Sequence, residues 1–470
     1  MEKPVRKGKI AYIVGLVIMA ILSTLLIVIT LTNTFNLREL LESKVRLELI
    51  YALLVLALML PLLLLLLAIF LQLDKRKEGK TTVIKAEQIM LNGGMEAKEN
   101  SSTDSEAKEE EGSRFCKLCN LDQTSGSIDK GKYDEYITLR QLCENFRNYT
   151  ANKLKLYYDI SDIRRFIASM AVSKIIILQG MSGTGKTSLA HAFGDFIDNP
   201  STVIPVQPMW KERTDLIGYF NEFTKRFNET TLLEKMYEAN YSKSIYITVM
   251  DEMNIARVEY YFAEFLSLLE LPNAEERLLT VVSDVWENDP EQLENGCIKL
   301  PPNMWFVGTA NNDDSTFAIS DKVYDRAMVM NLDMKAEPFV APKTPNTRVS
   351  AEQFESLAEQ AMREYEITAR NLNRIEMLDK YLIEHFQITF GNRIMKQIKS
   401  YIPVYVACGG DELEAIDDIL SKKVLRKLEM QNPIYLRSAA SGLIAYLDQV
   451  FGHDRMPLCK AFMARLQRTI

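Results

Sequence analysis

The stretch KIIILQGMSGTGKTSLAHAF, Lys174 to Phe193, decides the fold. Its first six residues are an apolar, β-branched run that predicts a buried strand. SLAHAFGDFI, which begins at Ser188 and runs on past Phe193, carries apolar residues at helical spacing. Between them Gly180-Met-Ser-Gly-Thr-Gly-Lys-Thr187 fits G-x-x-x-x-G-K-[ST]. Strand, loop and helix in that order are the context this pattern requires. Glycines let backbone N–H groups wrap a string of phosphates, and the helix N-terminus adds positive potential. Gly180, Ser182, Gly183, Thr184, Gly185, Lys186, Thr187 and Ser188 are therefore the expected phosphate-binding residues. Lys186 reaches the β- and γ-phosphates, and Thr187 offers its hydroxyl to Mg²⁺.

Further along, SIYITVMDEMN predicts a second strand ending in Asp251 and Glu252. An acidic residue at that place holds the metal through water, and a second carboxylate beside it polarises the attacking water. Asp251 is read as the metal partner and Glu252 as the general base. A third strand, MWFVGTANNDDST, ends in Asn311 and Asn312. Asn311, the first after the strand, is expected to touch the γ-phosphate or orient the water. Alone, such an asparagine is a turn signal more often than a catalytic group. In AISDKVYDRAMVMNLD, Arg326 is a salt-bridged surface residue if the chain acts alone. In a ring it reaches the neighbour's γ-phosphate as an arginine finger.

With these landmarks in order, the segment from Ile160 to Glu429 resembles the AAA+ ATPases. Within them it is similar to the McrB-like and MoxR-like branch, the group related to the dynein motor rings, and above all to McrB-type restriction motor subunits. The residues that carry this are GMSGTGKTSL, VQPMWKERTDLIGYF, VMDEMNIARVEYYFAEFLSLLE, FVGTANNDDST, DKVYDRA and GNRIMKQIKSYIPVYVACGGDELEAIDDILSKKVLRKLE. The resemblance implies an α/β P-loop domain, a parallel sheet with helices on both faces, followed by a C-terminal helical lid. It also implies a ring, usually a homo-hexamer, with sites between subunits. TVIPVQPMWKERTDLIGYF would supply an insertion in the second helix, and Arg277 to Phe306 a hairpin before the third strand. Arg393, in FGNRIMKQI, fits the place of a sensor 2 arginine. Two departures stand out. A DNA-binding N-terminal domain is lacking, so methylated-DNA recognition does not carry over. No residue pattern reads guanine, so ATP is the expected fuel, with GTP the alternative. No nuclease constellation is present, and any cleavage would belong to a nuclease-like partner subunit.

Residues 10–31 and 49–73 carry no charge, and each exceeds the roughly 20 residues a helix needs to cross a bilayer. The first is too long, and lacks the small-residue site, for a cleaved signal peptide. Lys3, Arg6, Lys7 and Lys9 precede the pair; Lys75, Arg76, Lys77 and Lys80 follow it. Loop 32–48 offsets its Arg38, Lys44 and Arg46 with Glu39, Glu42 and Glu48. The positive-inside rule then puts residues 1–9 and everything after 73 in the cytoplasm, with the loop outside. Without ionisable groups the spans read as an anchor in the cell membrane rather than an ion pathway. Residues 74–130 turn polar, with runs of one charge, and predict a flexible linker. The remainder divides into 131–334, the nucleotide-binding domain with two preceding helices, and 335–470, the lid and C-terminal helices. Asp159 or Ser161 is expected to cap the second of those two helices.

The formal net charge of −7 gives no footprint of a nucleic-acid-binding surface. Six cysteines form no disulfide pattern, and Cys116-x-x-Cys119, without the second pair or nearby histidines that zinc usually takes, reads as two ordinary thiols with a zinc site the alternative. Three functions share this engine. One is a membrane-anchored ATPase driving a partner, such as a defence nuclease. The second is a MoxR-like chaperone remodelling membrane or secreted proteins. The third is a nucleotide-gated membrane assembly.

Overall fold

The computed structural model describes residues 113–128, 131–311, 316–333 and 336–469. The two expected spans, the loop between them and most of the linker lie outside the described residues. Among the described residues, no helix is long and apolar enough to cross a membrane.

The core is a five-stranded sheet. Its strands are β1 (Ile175–Gly180), β2 (Thr202–Pro205), β5 (Tyr246–Asp251), β9 (Met304–Asn311) and β10 (Met328–Asn331). The order is β10-β1-β9-β5-β2 and every pairing is parallel. The strands are apolar nearly throughout because both faces are covered. Alternate residues serve opposite layers: Ile176, Leu178, Ile247, Val249, Trp305 and Val307 join one core, while Ile175, Ile177, Met250 and Phe306 join the other. The first core is closed by α2 (Leu139–Tyr149), α3 (Ile160–Val172), α4 (Lys186–Phe196) and the C-terminal helices. Those are α8 (Ala351–Glu364), α9 (Ala369–Phe386), α10 (Asn392–Ala407), α11 (Glu412–Ile419), α12 (Pro433–Phe451) and α13 (Pro457–Thr469). The second is closed by α1 (Lys117–Thr124), α5 (Thr231–Ala239), α6 (Ala263–Leu268) and the short α7 (Asp321–Tyr324).

The two helices expected before the first strand are α2 and α3. Thr138 and Gln141 form a reciprocal capping box on α2. Asp159 stands at the start of α3, but its side chain makes no capping bond there. Two insertions decorate the second face. One is a hairpin of β3 (Gly218–Asn221) and β4 (Arg226–Glu229). The segment expected to form it is divided differently: Thr202–Pro205 is the edge strand β2, and the hairpin runs on to Glu229. The other is a small sheet of β6 (Leu278–Thr280), β7 (Leu293–Glu294) and β8 (Cys297–Lys299), within the segment expected to hold a hairpin.

The expected linker is corrected at its C-terminal end. Residues 113–128 are ordered and docked on the second face. Arg114 is buried, with two hydrogen bonds to the Asp289 carboxylate (2.8 and 2.7 Å), one to the Asp284 carboxylate (3.0 Å) and one to the Asp284 carbonyl (2.5 Å), and its guanidinium lies 4.5 Å from the Trp286 ring centre. Phe115 stacks on Phe227. The Glu229 carboxylate accepts the N–H groups of Cys116, Lys117 and Leu118, which the start of α1 leaves free. Tyr241 donates to Asp122 at 2.7 Å. The charged run stops before Arg114, and this short apolar segment finds its partners more than a hundred residues away.

Candidate functional site

β1 ends at Gly180, whose φ is +145°; a Cβ there would stand 2.3 Å from the Leu332 carbonyl oxygen. The loop then turns through Gly183 and Gly185, also at positive φ, into α4. Tyr158 braces it, donating its hydroxyl to the Gly185 carbonyl at 3.1 Å. Lys186 is buried under the loop and donates to the carbonyls of Gly180 (3.0 Å) and Met181 (2.8 Å). Ser182 and Gly183 are exposed on the rim, while Thr184 ties the loop by donating to the Met181 carbonyl at 3.0 Å. The result is a cradle with a lysine at its base and a helix N-terminus behind it.

The register of the sheet brings the acids to this cradle. Thr187 Oγ1 donates to Asp251 Oδ1 at 2.7 Å. Thr309, on the neighbouring β9, donates to the same oxygen at 2.8 Å and accepts the Glu252 N–H at 2.9 Å. Glu252 itself has φ +52°, ψ +48° and an exposed side chain. That backbone costs a non-glycine residue roughly 1–2 kcal/mol. It turns the chain out of the strand line just after Asp251, where the Glu252 carboxylate is exposed. Asn311 pairs in register with Gly180 and holds its amide 3.5 Å from Glu252 Oε1. Asn312 lies outside the described residues.

Asn254 is a further part of the site. It is 5% exposed and donates to the carbonyls of Asn311 (3.1 Å) and Phe317 (3.3 Å) and to the Thr316 hydroxyl (2.9 Å). It pins the end of β9 to the turn after β5. Thr309, Asn254 and Tyr158 escape the sequence reading. A polar residue inside an otherwise apolar strand was the available signal for Thr309; only the fold could mark the other two.

A hydroxyl and a carboxylate sharing one hydrogen bond, beside a lysine under a glycine loop, fit magnesium and a nucleoside triphosphate. Thr187 would ligate the metal directly and Asp251 through water. The metal's part is to neutralise phosphate charge. Glu252 would take a proton from water, and the Asn311 amide beside it would hold that water.

Arg326 and Arg393 are elsewhere. Arg326 precedes β10, so it stands at the edge from which the parallel strands start, opposite the loop. Its guanidinium meets Glu270 Oε2 at 2.7 Å, and that of Arg393 meets Glu270 Oε1 at 2.5 Å. Arg393, read from the sequence as a sensor 2 arginine, lies at the start of α10 and shares the Glu270 carboxylate with Arg326. Nothing in the sequence marked Glu270 as the residue that gathers both.

All six cysteines are free thiols. Cys119 donates to the Ser113 hydroxyl at 3.1 Å, and burial pushes its thiol up. Among the described residues, no three His, Cys, Asp or Glu side chains cluster as a metal site.

Residues 175–327 match the family model of the AAA domain (dynein-related subfamily). A crystal structure of a "putative ATPase" from Cytophaga hutchinsonii is similar at 13% identity. The match covers 71% of this chain and 98% of that one, with a TM-score of 0.43. No curated protein matches the chain.

Proposed function

We propose that this chain, whose residues 175–327 form an AAA domain of the dynein-related subfamily, is a membrane-anchored ATPase that hydrolyses Mg²⁺–ATP at sites shared between copies. The observation that carries the hydrolytic part is the Thr187–Asp251 contact of 2.7 Å with Glu252 turned out beside it. Phosphate cradle, metal partner and base converge there from three elements that only this fold brings together.

The shared site is supported by Arg326 standing across the sheet from the loop of its own chain, where it serves only a neighbour's nucleotide. A homo-hexamer is the assembly we propose. The anchor is supported by the two charge-free runs at 10–31 and 49–73, and a cytoplasmic ATPase by the lysines and arginines that flank the pair. The work done is on a partner protein, in the manner of McrB-type motors with a nuclease-like subunit.

Hydrolysis by the full-length chain, with ATP and GTP side by side and Glu252→Gln as control, tests this. ATP turnover that needs Mg²⁺ and Glu252 supports the reading. Preference for GTP replaces the fuel and strengthens the McrB-like role. Turnover of neither, with nucleotide bound, removes the enzyme assignment.

A further inference from the structure

The turn that presents Arg326 is held from two directions. From the sheet side, the Ser173 hydroxyl donates to the Arg326 carbonyl at 3.0 Å. From the helical region, Gln397 Nε2 donates to the Asp325 carbonyl at 3.2 Å. Lys423 reaches deepest. Its Nζ lies 2.6 Å from the carbonyls of both Tyr324 and Ala327, and 3.4 Å from that of Asp325. These partners are main-chain oxygens, not a carboxylate. Lys423 is 5% exposed.

A buried ammonium facing only carbonyls is costly, so it persists where its three donors are all used. Arg426, one turn on, adds a second grip: its guanidinium lies 3.4 Å from the Tyr324 ring centre and pairs with Asp321. The helical region thus clasps the turn 321–327 at both ends, while the Arg326 side chain reaches away to Glu270.

We propose that Lys423 is a positioning residue for hydrolysis at the neighbouring copy's site, fixing from the helical region the turn that aims Arg326. This rests on the shared-site reading above. It makes the helical region a controller of the next copy's turnover, because displacing it withdraws three donors from the turn behind the finger. Burial lowers the Lys423 ammonium to about 7. Asp325 on the turn opposes that fall; Arg426 and Lys427 on its own segment and Arg393 at the start of α10 add to it.

Full-length Lys423→Met is the direct test. Its own nucleotide affinity stays within about twofold of the parent, since nothing at the loop changes. Turnover falls on the order of 100-fold, the cost of misplacing a catalytic group by about 1 Å. Mixing it with Glu252→Gln chains, which bring intact Lys423 and Arg326, restores turnover. Unchanged turnover in the folded variant overturns the proposal, and so does a loss that the mixture leaves unrestored. If Lys423→Met no longer binds nucleotide, Lys423→Arg decides. Turnover of the parent falls as pH rises through about 7 and the ammonium loses its proton, whereas the arginine variant stays level there. Two superimposed profiles overturn the proposal. Full turnover by Arg326→Ala strikes instead at the shared-site reading, so the two failures are separable.

Discussion

Thr309 donates its hydroxyl to the Asp251 carboxylate at 2.8 Å while accepting the backbone N–H of Glu252 at 2.9 Å. One side chain from β9 therefore sets both the metal partner and the base, and tethers the left-handed backbone of Glu252. Thr309→Val keeps the shape and removes the hydroxyl. Turnover is expected to fall about 10- to 100-fold with nucleotide affinity little changed, because the phosphate cradle is intact. Thr309→Ser, which keeps the hydroxyl, is expected to retain most of the activity. Equal turnover in Thr309→Val and the parent would show that the bridge does not matter.

Arg326 and Arg393 occupy the two oxygens of Glu270, both away from the loop. Arg393→Ala is therefore expected to bind nucleotide as the parent does and to lose turnover. Isothermal titration with a non-hydrolysable ATP analogue checks this. A fall in affinity above about tenfold would return Arg393 to its own copy's nucleotide.

Much of the sheet was legible from residue order. KIIILQ, SIYITVMD, MWFVGTAN and AMVMN are runs that only a doubly covered parallel sheet needs, and each leads into or follows a group with chemistry. β2 was not legible. Its four residues, two of them exposed, lie at the sheet edge and read as part of the insertion that follows. The docked segment 113–128 was hidden because its stability is non-local, in Asp289, Glu229 and Phe227. The loop and the acids were legible because phosphate and metal chemistry fixes residue types at fixed spacing. Thr309, Asn254 and Glu270 were not, because positioning groups owe their role to neighbours that the fold supplies.

Arg114 illustrates the non-local term. Replacing it with Met leaves the 6%-exposed Asp289 carboxylate without its guanidinium. Breaking such a buried pair costs about 3 kcal/mol or more. Hydrogen exchange is expected to show segment 113–124 losing protection, together with the β3–β4 hairpin it grips. Retained protection in that segment would mean that Phe115 and Glu229 suffice to dock it.

Asp162 gives a pH signature to the packing of α3. It pairs with Arg165 at 3.0 Å, and Arg165 also approaches Asp418 at 3.2 Å. Burial nonetheless raises Asp162 to about 6, with the Arg165 charge opposing. Between roughly pH 4 and 6 the folded chain keeps a proton that the unfolded chain has lost. The stability from this group is thus present below about pH 4 and is lost as pH rises through about 6. Asp162→Asn removes that slope. Melting temperatures of both proteins across the interval check it, and parallel curves would contradict the assignment.

The most direct test of the shared site mixes two inactive full-length chains. Glu252→Gln lacks the base but keeps Arg326; Arg326→Ala lacks the finger but keeps Glu252. Neither alone is expected to hydrolyse Mg²⁺–ATP above about a thousandth of the parent rate. Mixed, they form interfaces that pair an intact base with an intact finger, and turnover returns. A mixture as inactive as its components, with both chains binding nucleotide and assembling, would contradict the account.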